Sequence, residues 1–390
     1  MTDAVIVAAA RTPIGRARKG SLVDVDAFEL ARIVVGAAVE RSGIATSDID
    51  DIVVAESLQG GGVIARNVAV QLGLTSVPGL ADNRHCAAGL SAVQIASAGI
   101  RAGMDHVVVA GGTESLSTSP QTLKRFGPGA EPLPWMSPSH PDTPDAPTWD
   151  MSITVGENTA REMGLTRQDV DAWALYSTEN ALRSIDGGAF EAEIVPVPVT
   201  DPDGTQRMFA VDEHPRRGSS MDTLGALPVL HPEIEGATVT AGNAAGLNDG
   251  AAAVVVTSGE FARSHGLSPM ARVLSWASIG LEPARTGLGP TLAIPKALDR
   301  IGMSIDDIEL WEINEAFCSV PVAAVRKLGI VQEIVNVNGS GASLGHPIAC
   351  TGARMVVTMI NELHRRGKTR GCVSMCAGGG MGSALILEAL

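Results

Sequence analysis

The sequence predicts an α/β protein made of two similar halves, with a segment of different character inserted into the first half. Short continuous apolar runs alternate with longer helical patterns, which is typical of a parallel or mixed sheet covered by helices on both faces. The order of these elements near the amino end of the chain returns near its carboxyl end, which indicates an internal duplication. The middle of the chain lacks this alternation and is rich in proline. A length of 390 residues also exceeds what one ordinary hydrophobic core requires.

The first half opens with the apolar run Ala4–Ala10, which we interpret as a buried strand. After a basic turn, apolar side chains recur on one face of Ala27–Arg41, so that segment is predicted to be a helix. The run Ile52–Ala55 is the next predicted strand. Farther along, Ala87–Ala102 mixes apolar residues with Ala, Ser and Gly and has no proline, which predicts a tightly packed buried helix. A strand over Val107–Gly112 follows it.

The second half repeats this order. A helix is predicted over Ala293–Arg300, and Ile305-Asp306-Asp307-Ile308 then leads into a strand over Glu309–Ile313. In the first half, Ile49-Asp50-Asp51-Ile52 occupies a corresponding place 256 residues earlier, and we interpret the two elements as copies of one another. The last predicted helix of the second half is again followed by a strand, which begins at Gly371.

The inserted segment has one clear helical pattern, Arg167–Ser184, and we predict that it forms a loop domain lying over the functional site. Strand-like sequence resumes at Ala237–Thr240 and again at Ala251–Val256, which would complete the first half. The predicted division is therefore 1–116 for the first part of the amino-terminal half, 117–236 for the inserted loop domain, 237–265 for the completion of that half and 266–390 for the carboxyl-terminal half.

Composition and charge argue against several classes of partner. The formal net charge is −14 and no Lys/Arg run exceeds two residues, so nucleic acid and anionic membranes are unfavourable ligands. With one Tyr and six Phe, the chain has few aromatic platforms for single-stranded nucleic acid. No apolar run approaches the ~18 residues of a membrane-spanning helix. An anionic ligand would therefore have to be met by a local cluster of arginines.

The cysteine pattern indicates a reducing compartment. There are five cysteines, an odd number with no Cys-x-x-Cys pair, which argues against a disulfide framework and against a zinc site. The first apolar run is preceded by an acid and followed by Arg11, which is unlike a signal peptide. We therefore expect a cytoplasmic protein that holds no metal.

One cysteine, Cys86, lies where the predicted helix 87–102 begins. Unpaired N–H groups and the positive end of the helix dipole favour a thiolate there, lowering a pKa that starts near about 8.5. A thiolate is a good nucleophile, so Cys86 is a candidate catalytic residue. The alternative, that Cys86 is one more small buried residue, stays open on this observation alone.

Motifs spread over nearly the whole chain point to one family. They are Ala8-Ala9-Ala10-Arg11-Thr12-Pro13, Asn83-Arg84-His85-Cys86, Ala110-Gly111-Gly112-Thr113-Glu114-Ser115, Thr240-Ala241-Gly242-Asn243, Asn314-Glu315-Ala316-Phe317, Gly345-His346-Pro347 and Cys376-Ala377-Gly378-Gly379-Gly380. In this order and spacing they resemble the thiolases, the acyl-CoA acetyltransferases of the thiolase superfamily. The resemblance implies the thiolase fold, in which two duplicated βαβαβαββ halves form five α-β-α-β-α layers and carry an inserted loop domain. It also implies a homo-oligomer, either a dimer or a tetramer built as a dimer of dimers.

Thiolases join or split carbon–carbon bonds between acyl groups held as thioesters, and the resemblance assigns roles for that chemistry. Cys86 would carry the acyl group, and His346 would take its proton and later face the thioester oxygen. Asn314 would hold a water that completes an oxyanion hole with the histidine. Cys376 would be the base that removes or returns an α-proton. The backbone N–H groups of Cys86 and Gly378 would form a second oxyanion hole.

Coenzyme A (CoA) or acyl-CoA would be a substrate, with no permanently bound cofactor. The resemblance places Arg216 at the nucleotide end of CoA, with Thr223 and Leu227 farther along the same wall. Ala241 and Ala245 fall at further CoA-binding positions. In an acidic chain a local arginine patch is what an anionic ligand requires.

The sequence departs from the family at three places. Ala88 and Ala245 stand where thiolases commonly have serine, and the serine at the second place touches the pantetheine. Members specific for acetoacetyl-CoA have a His-Met pair where this chain has Met151-Ser152. These differences remove no catalytic group, and they predict activity on longer acyl chains.

Two other functions remain as alternatives at this point. A thiolase-like protein that binds CoA without turnover would be compatible with the missing serines, although the intact Cys/Asn/His/Cys set argues against it. A decarboxylating condensing enzyme shares the fold and the nucleophile, but it would require a second histidine where Asn314 stands. Because the equilibrium favours thiolysis of 3-ketoacyl-CoA, we expect a degradative role.

Overall fold

The computed structural model of the protein describes residues 3–390. Its strands are β1 (Ala4–Arg11), β2 (Gly15–Arg16), β3 (Asp51–Ala55), β4 (Leu80–Asp82), β5 (Val107–Ser115), β6 (Leu123–Lys124), β7 (Leu133–Pro134), β8 (Val197–Thr200), β9 (Gln206–Phe209), β10 (Asn248–Ser258), β11 (Ala271–Gly280), β12 (Leu310–Ile313), β13 (Arg370–Ala377) and β14 (Met381–Ala389). Its helices are α1 (Ala27–Ser42), α2 (Ile64–Gln71), α3 (Ala88–Ala102), α4 (Asn158–Glu162), α5 (Arg167–Asp186), α6 (Met221–Gly225), α7 (Gly259–Ser264), α8 (Gly289–Asp299), α9 (Ser319–Leu328), α10 (Gly341–Leu344) and α11 (Thr351–Arg366). A π-helix, Ser152–Glu157, runs into α4.

The large mixed sheet consists of two parts with equivalent topology. Its strand order is β12-β13-β14-β11-β1-β10-β5-β3-β4, with β2 paired to β10. In the first part β1, β10 and β5 pair antiparallel, and β5, β3 and β4 pair parallel. In the second part β11, β14 and β13 pair antiparallel, and β13 pairs β12 in parallel. The counterpart of β4 is reduced to one parallel bridge between Trp311 and Val335. The predicted duplication is confirmed.

Helices divide the molecule into five layers, as the resemblance implied. The helices α1 and α2 pack on the outer face of the first part of the sheet and share one apolar core with it. The helices α8 and α9 do the same on the second part. Between the two parts lie α3 and α11, which contact each other and form the central core with side chains from both parts.

The two central helices approach each other at glycines. A Cβ atom on Gly89 in α3 would collide with the carbonyl oxygen of Ala349, close to the start of α11. A Cβ atom on Gly352 in α11 would collide with the backbone nitrogen of Leu90. Glycine is required where two backbones come this close. As a result the first turn of α3, which follows Cys86, lies against the first turn of α11.

The two halves are duplicated, but the two Ile-Asp-Asp-Ile elements do not occupy equivalent positions in them. In the first half these residues straddle the start of β3, whereas in the second half they form a 3₁₀ turn and its cap before β12. The strands begin at Asp51 and Leu310, which are 259 residues apart. With that offset Asp50 matches Glu309, and both carboxylates accept hydrogen bonds from the backbone at the start of a neighbouring strand, Asp50 from His106 and Val107 and Glu309 from Thr369 and Arg370.

Two local predictions need correction. The segment Ala237–Thr240 is not a strand, because the backbone N–H groups of Thr238 and Val239 donate to the carboxylate of Glu157 instead of to a neighbouring strand. The helix predicted from Ala293 begins four residues earlier as α8, because a proline in its first turn removes no hydrogen bond.

The segment between β5 and β10 is tied to the rest of the molecule by buried charges. Arg11, at the end of β1, donates from Nε to Glu193 at 2.5 Å and from its two terminal nitrogens to Asp212 at 2.8 and 2.9 Å. All three side chains are buried, and charges so placed are tolerated only when they are paired. The domain division at 116, 236 and 265 stays a prediction. No helix within residues 3–390 is long and apolar enough to cross a membrane.

Candidate active site

Cys86 lies in a tight turn between β4 and α3. The backbone N–H groups of Ala87 and Ala88 donate to the carbonyl oxygens of Arg84 and His85 at 3.1 and 3.0 Å. His85 has φ +47°, a left-handed conformation that is uncommon for a residue other than glycine. The helix itself begins at Ala88, so Cys86 precedes the first turn instead of lying in it.

The resting state of Cys86 differs from the sequence-based expectation. Burial raises the pKa of Cys86 to about 11, and the backbone N–H groups of Gly378 and of Cys86 itself lower it only in part. The expectation of a depressed pKa was therefore wrong, because desolvation outweighs the helix start. The nearby carboxylate of Glu114 adds to the increase. Cys86 is a thiol at neutral pH, and forming the nucleophile requires a base.

The imidazole of His346 is held in one tautomer. Its Nδ1 lies 2.6 Å from the hydroxyl oxygen of Thr351, and that hydroxyl donates its only proton to the carbonyl oxygen of Pro347 at 2.7 Å. Thr351 must therefore accept from Nδ1–H, which leaves the lone pair on Nε2. Burial, with a contribution from the Arg354 guanidinium, lowers the pKa of His346 to about 3. His346 is thus a neutral base whose lone pair lies on Nε2.

Asn314 follows the end of β12 and meets the histidine. Its Nδ2 lies 3.3 Å from Nε2 of His346, at the distance of a long hydrogen bond. Its backbone N–H donates to the carbonyl oxygen of Ser374, which places it beside β13, the strand that carries Cys376. Among residues 3–390 the amide oxygen of Asn314 has no hydrogen-bonding partner, although it is buried. A buried acceptor of this kind is suited to a ligand that donates a hydrogen bond.

Cys376 lies at the end of β13, before a turn of three glycines. Burial, with the adjacent Cys86, raises its pKa well above the usual range. Gly379 and Gly380 have φ +86° and +76°, which allows the chain to reverse into β14. A Cβ on Gly379 would lie 2.7 Å from the carbonyl oxygen of Ser139, so the inserted segment covers this turn.

An apolar wall surrounds Cys376. Its members come from the π-helix, from the segment after β12 and from α9, and they are Met151, Val155, Ala316, Phe317 and Val320. Ala245 does not line the CoA cavity described below. Its backbone N–H donates to the carbonyl oxygen of Ala316 at 3.0 Å, which places it beside this wall.

Four of the five predicted CoA-binding residues line one cavity of about 240 Å³. They are Arg216, Thr223, Leu227 and Ala241. The neighbouring Arg217 also lines the cavity but is paired with Asp186. The cavity therefore has one arginine, Arg216, that forms no ion pair with a carboxylate among residues 3–390.

Sequence reasoning missed three polar residues that position the site. Thr351 sets the tautomer of His346, and Asn248 accepts a hydrogen bond from the His346 backbone at 3.0 Å. Glu114 accepts from Ala349 at 3.1 Å, in the loop that carries the histidine. The signal available in the sequence was a polar residue within an otherwise apolar or small-residue stretch. No three His, Cys, Asp or Glu side chains between residues 3 and 390 come together in an arrangement suited to a metal ion.

Comparison with known proteins gives a consistent result over the whole chain. The family model for the thiolase N-terminal domain matches residues 4–260, and that for the thiolase C-terminal domain matches residues 267–389. The chain is 41% identical to an acetyl-CoA acetyltransferase of Syntrophomonas wolfei, over 100% of this chain and 99% of the relative. It is 39% identical to a 3-ketoacyl-CoA thiolase of Bacillus subtilis, over 100% of both chains.

Solved structures agree with these relatives. The crystal structure of human mitochondrial 3-ketoacyl-CoA thiolase in complex with CoA matches with a TM-score of 0.91 and 32% sequence identity, over 100% of this chain and 98% of that chain. Since the two family models together span almost every residue, and since full-length relatives share about 40% of its residues, the chain belongs to the thiolase family of acyltransferases.

Proposed function

We propose that the protein forms an acyl thioester on Cys86 and exchanges that acyl group with CoA or acetyl-CoA. It would do so in thiolytic cleavage of a 3-ketoacyl-CoA or in the reverse Claisen condensation. The observation that carries the proposal is the convergence of Cys86, Cys376 and Gly378 at one turn, beside the strand end where Asn314 meets His346. These groups supply a nucleophile, two proton acceptors and donors for an oxyanion.

In the first step of thiolysis, the Cys86 proton goes to Nε2 of His346 as the sulfur attacks the 3-keto carbon of the substrate. The carbonyl oxygen becomes an oxyanion, and the backbone N–H groups of Cys86 and Gly378 are suited to stabilise it, because both already face the sulfur. Such donors can each be worth roughly 3 kcal/mol in the transition state.

The carbon–carbon bond then breaks and leaves the acyl group on Cys86. Cys376 gives its proton to the α-carbon of the departing acetyl-CoA, and in condensation it takes that proton back as a thiolate. Asn314, together with His346 and a water held by the amide, would stabilise the enolate oxygen. Finally, the Cys376 thiolate takes the thiol proton of CoA as the CoA sulfur attacks the acyl group. Cys86 leaves and recovers its proton from His346, which releases a shortened acyl-CoA.

CoA would occupy the cavity lined by Arg216, Thr223, Leu227 and Ala241, with its pantetheine running past Ala245 toward Cys376. Support comes from the shared position of four of these residues in one cavity and from the human relative in complex with CoA. No cofactor is permanently bound in this scheme.

We also propose a degradative role in the cytoplasm and a homo-oligomer, either a dimer or a tetramer. The five cysteines are all free thiols, as expected for a reducing compartment. An asparagine at position 314 argues against a decarboxylating condensing enzyme, which would require a histidine there. Turnover itself separates the proposal from a protein that only binds CoA.

The test is to distinguish the roles of the two cysteines by mass spectrometry of single variants after treatment with acetyl-CoA. Cys86→Ala should release no CoA and show no increase in mass. Cys376→Ala should release one equivalent of CoA and retain a stable acetyl group, while condensation falls by a factor of about 10² or more, the usual effect of losing a general base. An acetyl group on Cys376 in the Cys86→Ala variant, or none on Cys86 in the wild type, would overturn the assignment.

We predict activity on acyl chains longer than acetoacetyl. Met151-Ser152 replaces the His-Met pair and Ala245 replaces the usual serine, which leaves fewer bulky groups near the thioester. The measurement is kcat/KM for thiolysis across 3-ketoacyl-CoA chain lengths, with Ala245→Ser as the matched variant. That variant should shift the preference toward acetoacetyl-CoA. A wild-type series that peaks at acetoacetyl-CoA and falls by roughly tenfold at six carbons would contradict the prediction.

A further inference from the structure

The basic turn after β1 is fixed against the wall of the CoA cavity. The carboxylate of Glu213 accepts hydrogen bonds from the backbone N–H groups of Arg16 and Ser21 at 2.8 and 2.9 Å. A Cβ on Gly20 would collide with that carboxylate, so the turn closes tightly around Glu213. Ile14 donates to Asp212 at 2.7 Å. The turn is therefore held against the segment that leads directly into the cavity wall at His214 and Arg216.

Three cations converge at this place. Arg16 donates from its guanidinium to the carbonyl oxygen of His214 at 3.1 Å, and His214 and Arg216 both line the cavity. Burial, and then the charges of Arg16, Arg216 and Lys19, lowers the pKa of His214 to about 4. A neutral imidazole thus lies among three positive charges.

These cations are not neutralised by ion pairs. Within the described part of the chain, Arg16, Lys19 and Arg216 form no ion pair with a carboxylate, whereas Arg217 is paired with Asp186 at the edge of the same cavity. Glu213 offsets only one of the three charges. In a chain of net charge −14, such a surplus of positive charge is a local exception, and it attracts an anion.

We propose that Arg16 and Lys19, together with Arg216, form a phosphate-binding patch for the nucleotide end of CoA. The inference rests on the proposed use of CoA as substrate. Guanidinium and ammonium groups are the side chains that bind phosphate oxygens most strongly. The patch distinguishes CoA thioesters from thioesters that lack a nucleotide, and it offsets the repulsion between CoA and an acidic protein.

The test is equilibrium binding of CoA, 3′-dephospho-CoA and pantetheine to Arg16→Gln, Lys19→Gln and the control Arg18→Gln. Arg18 is an exposed neighbour on the same turn that does not act on His214. Each of the first two variants should raise the Kd for CoA by about threefold to tenfold. This loss lies between that expected for a screened surface charge and that expected for a charge-assisted hydrogen bond. The control variant should bind CoA like the wild type, and pantetheine binding should not change in any variant.

The three ligands distinguish the phosphates. A defect that disappears with 3′-dephospho-CoA assigns the patch to the 3′-phosphate, and a defect that persists assigns it to the diphosphate, and either result supports the proposal. An unchanged Kd for CoA in both variants would overturn it, as would an equal loss for pantetheine. Lys19→Glu, at an exposed position, should weaken CoA binding further without changing the unfolding temperature. CoA binding can be measured without turnover. A wild-type protein that binds CoA but has no thiolase activity would therefore contradict the proposed function, and the binding test of the patch would still be valid.

Discussion

Thr351 decides which ring nitrogen of His346 can accept a proton. Its hydroxyl is committed to the carbonyl oxygen of Pro347, so it can only accept from Nδ1–H. The base that faces Asn314 is therefore Nε2. Without the hydroxyl, the imidazole could place its proton on either nitrogen, and the tautomer with Nε2–H cannot accept a proton at the required place.

We predict that Thr351→Val lowers kcat by about 10- to 100-fold, by analogy with the loss of hydrogen-bonding partners that orient metal-bound histidines. The KM for CoA should change little, because the cavity for CoA is separate. Thr351→Ser, which keeps the hydroxyl, should restore most of the activity. The pH–rate profile is the decisive measurement, since a purely structural loss would leave its shape unchanged.

The sequence motifs identified Cys86, Asn314, His346, Cys376 and Gly378 as candidates. In the structure Cys86 lies beside Gly378 and Cys376, and Asn314 lies beside His346. The sequence could not reveal the electrostatics of Cys86. Its position at a helix start suggested a depressed pKa. Burial instead raises the pKa of Cys86 to about 11, and that burial depends on packing from the opposite half of the chain. The positioning hydroxyl of Thr351 was missed because its role depends on a hydrogen bond to a backbone carbonyl.

At the scale of elements, the crossing of α3 and α11 fixes the site. Gly89 lies three residues after Cys86, and its contact with the carbonyl oxygen of Ala349 leaves no room for a side chain. Ala349 in turn follows His346 by three residues. A change at the crossing should therefore affect both stability and the relative position of Cys86 and His346, the two proposed catalytic groups.

We predict that Gly89→Ala destabilises the protein by about 1–3 kcal/mol, the usual cost of overpacking, and lowers kcat. The matched control is Gly225→Ala at the end of α6, where an added Cβ meets nothing within 4 Å. Since alanine has the higher helix propensity, the control should be neutral or slightly stabilising. Denaturant unfolding of the two variants checks the prediction, and equal midpoints would contradict it.

The internal duplication shows what a sequence pattern can and cannot establish about elements. The alternation of strand and helix predicted two equivalent halves correctly, because buried parallel strands and amphipathic helices leave different periodicities. The predicted alignment of the two halves was wrong by three residues, because the two Ile-Asp-Asp-Ile elements have the same sequence but occupy different structural positions. The matching carboxylates are Asp50 and Glu309, which differ in residue type but accept equivalent backbone hydrogen bonds.

At the scale of the whole molecule, the inserted segment is attached through the buried group of Arg11, Glu193 and Asp212. We predict that Asp212→Ala costs about 3–5 kcal/mol, because it leaves part of a buried charge unpaired. It should also weaken CoA binding, since Asp212 precedes the residues that line the cavity. The control Asp201→Ala breaks the exposed pair with Arg207 and should cost at most about 1 kcal/mol. Thermal unfolding with and without CoA measures both effects, and similar losses in the two variants would exclude the buried group as the anchor.

The turn at Gly378 has a consequence for the chain as it is synthesised. The N–H that faces the sulfur of Cys86 belongs to Gly378, which is far along the chain from Cys86. His346 and Cys376 are also far from Cys86 in sequence. A nascent chain on the ribosome therefore has the proposed acyl-accepting cysteine long before it has the proposed base or the far oxyanion donor. Until β13 and β14 leave the exit tunnel and pair, that cysteine has no partner for chemistry. The proposed chemistry thus becomes possible only after His346, Cys376 and Gly378 have been synthesised.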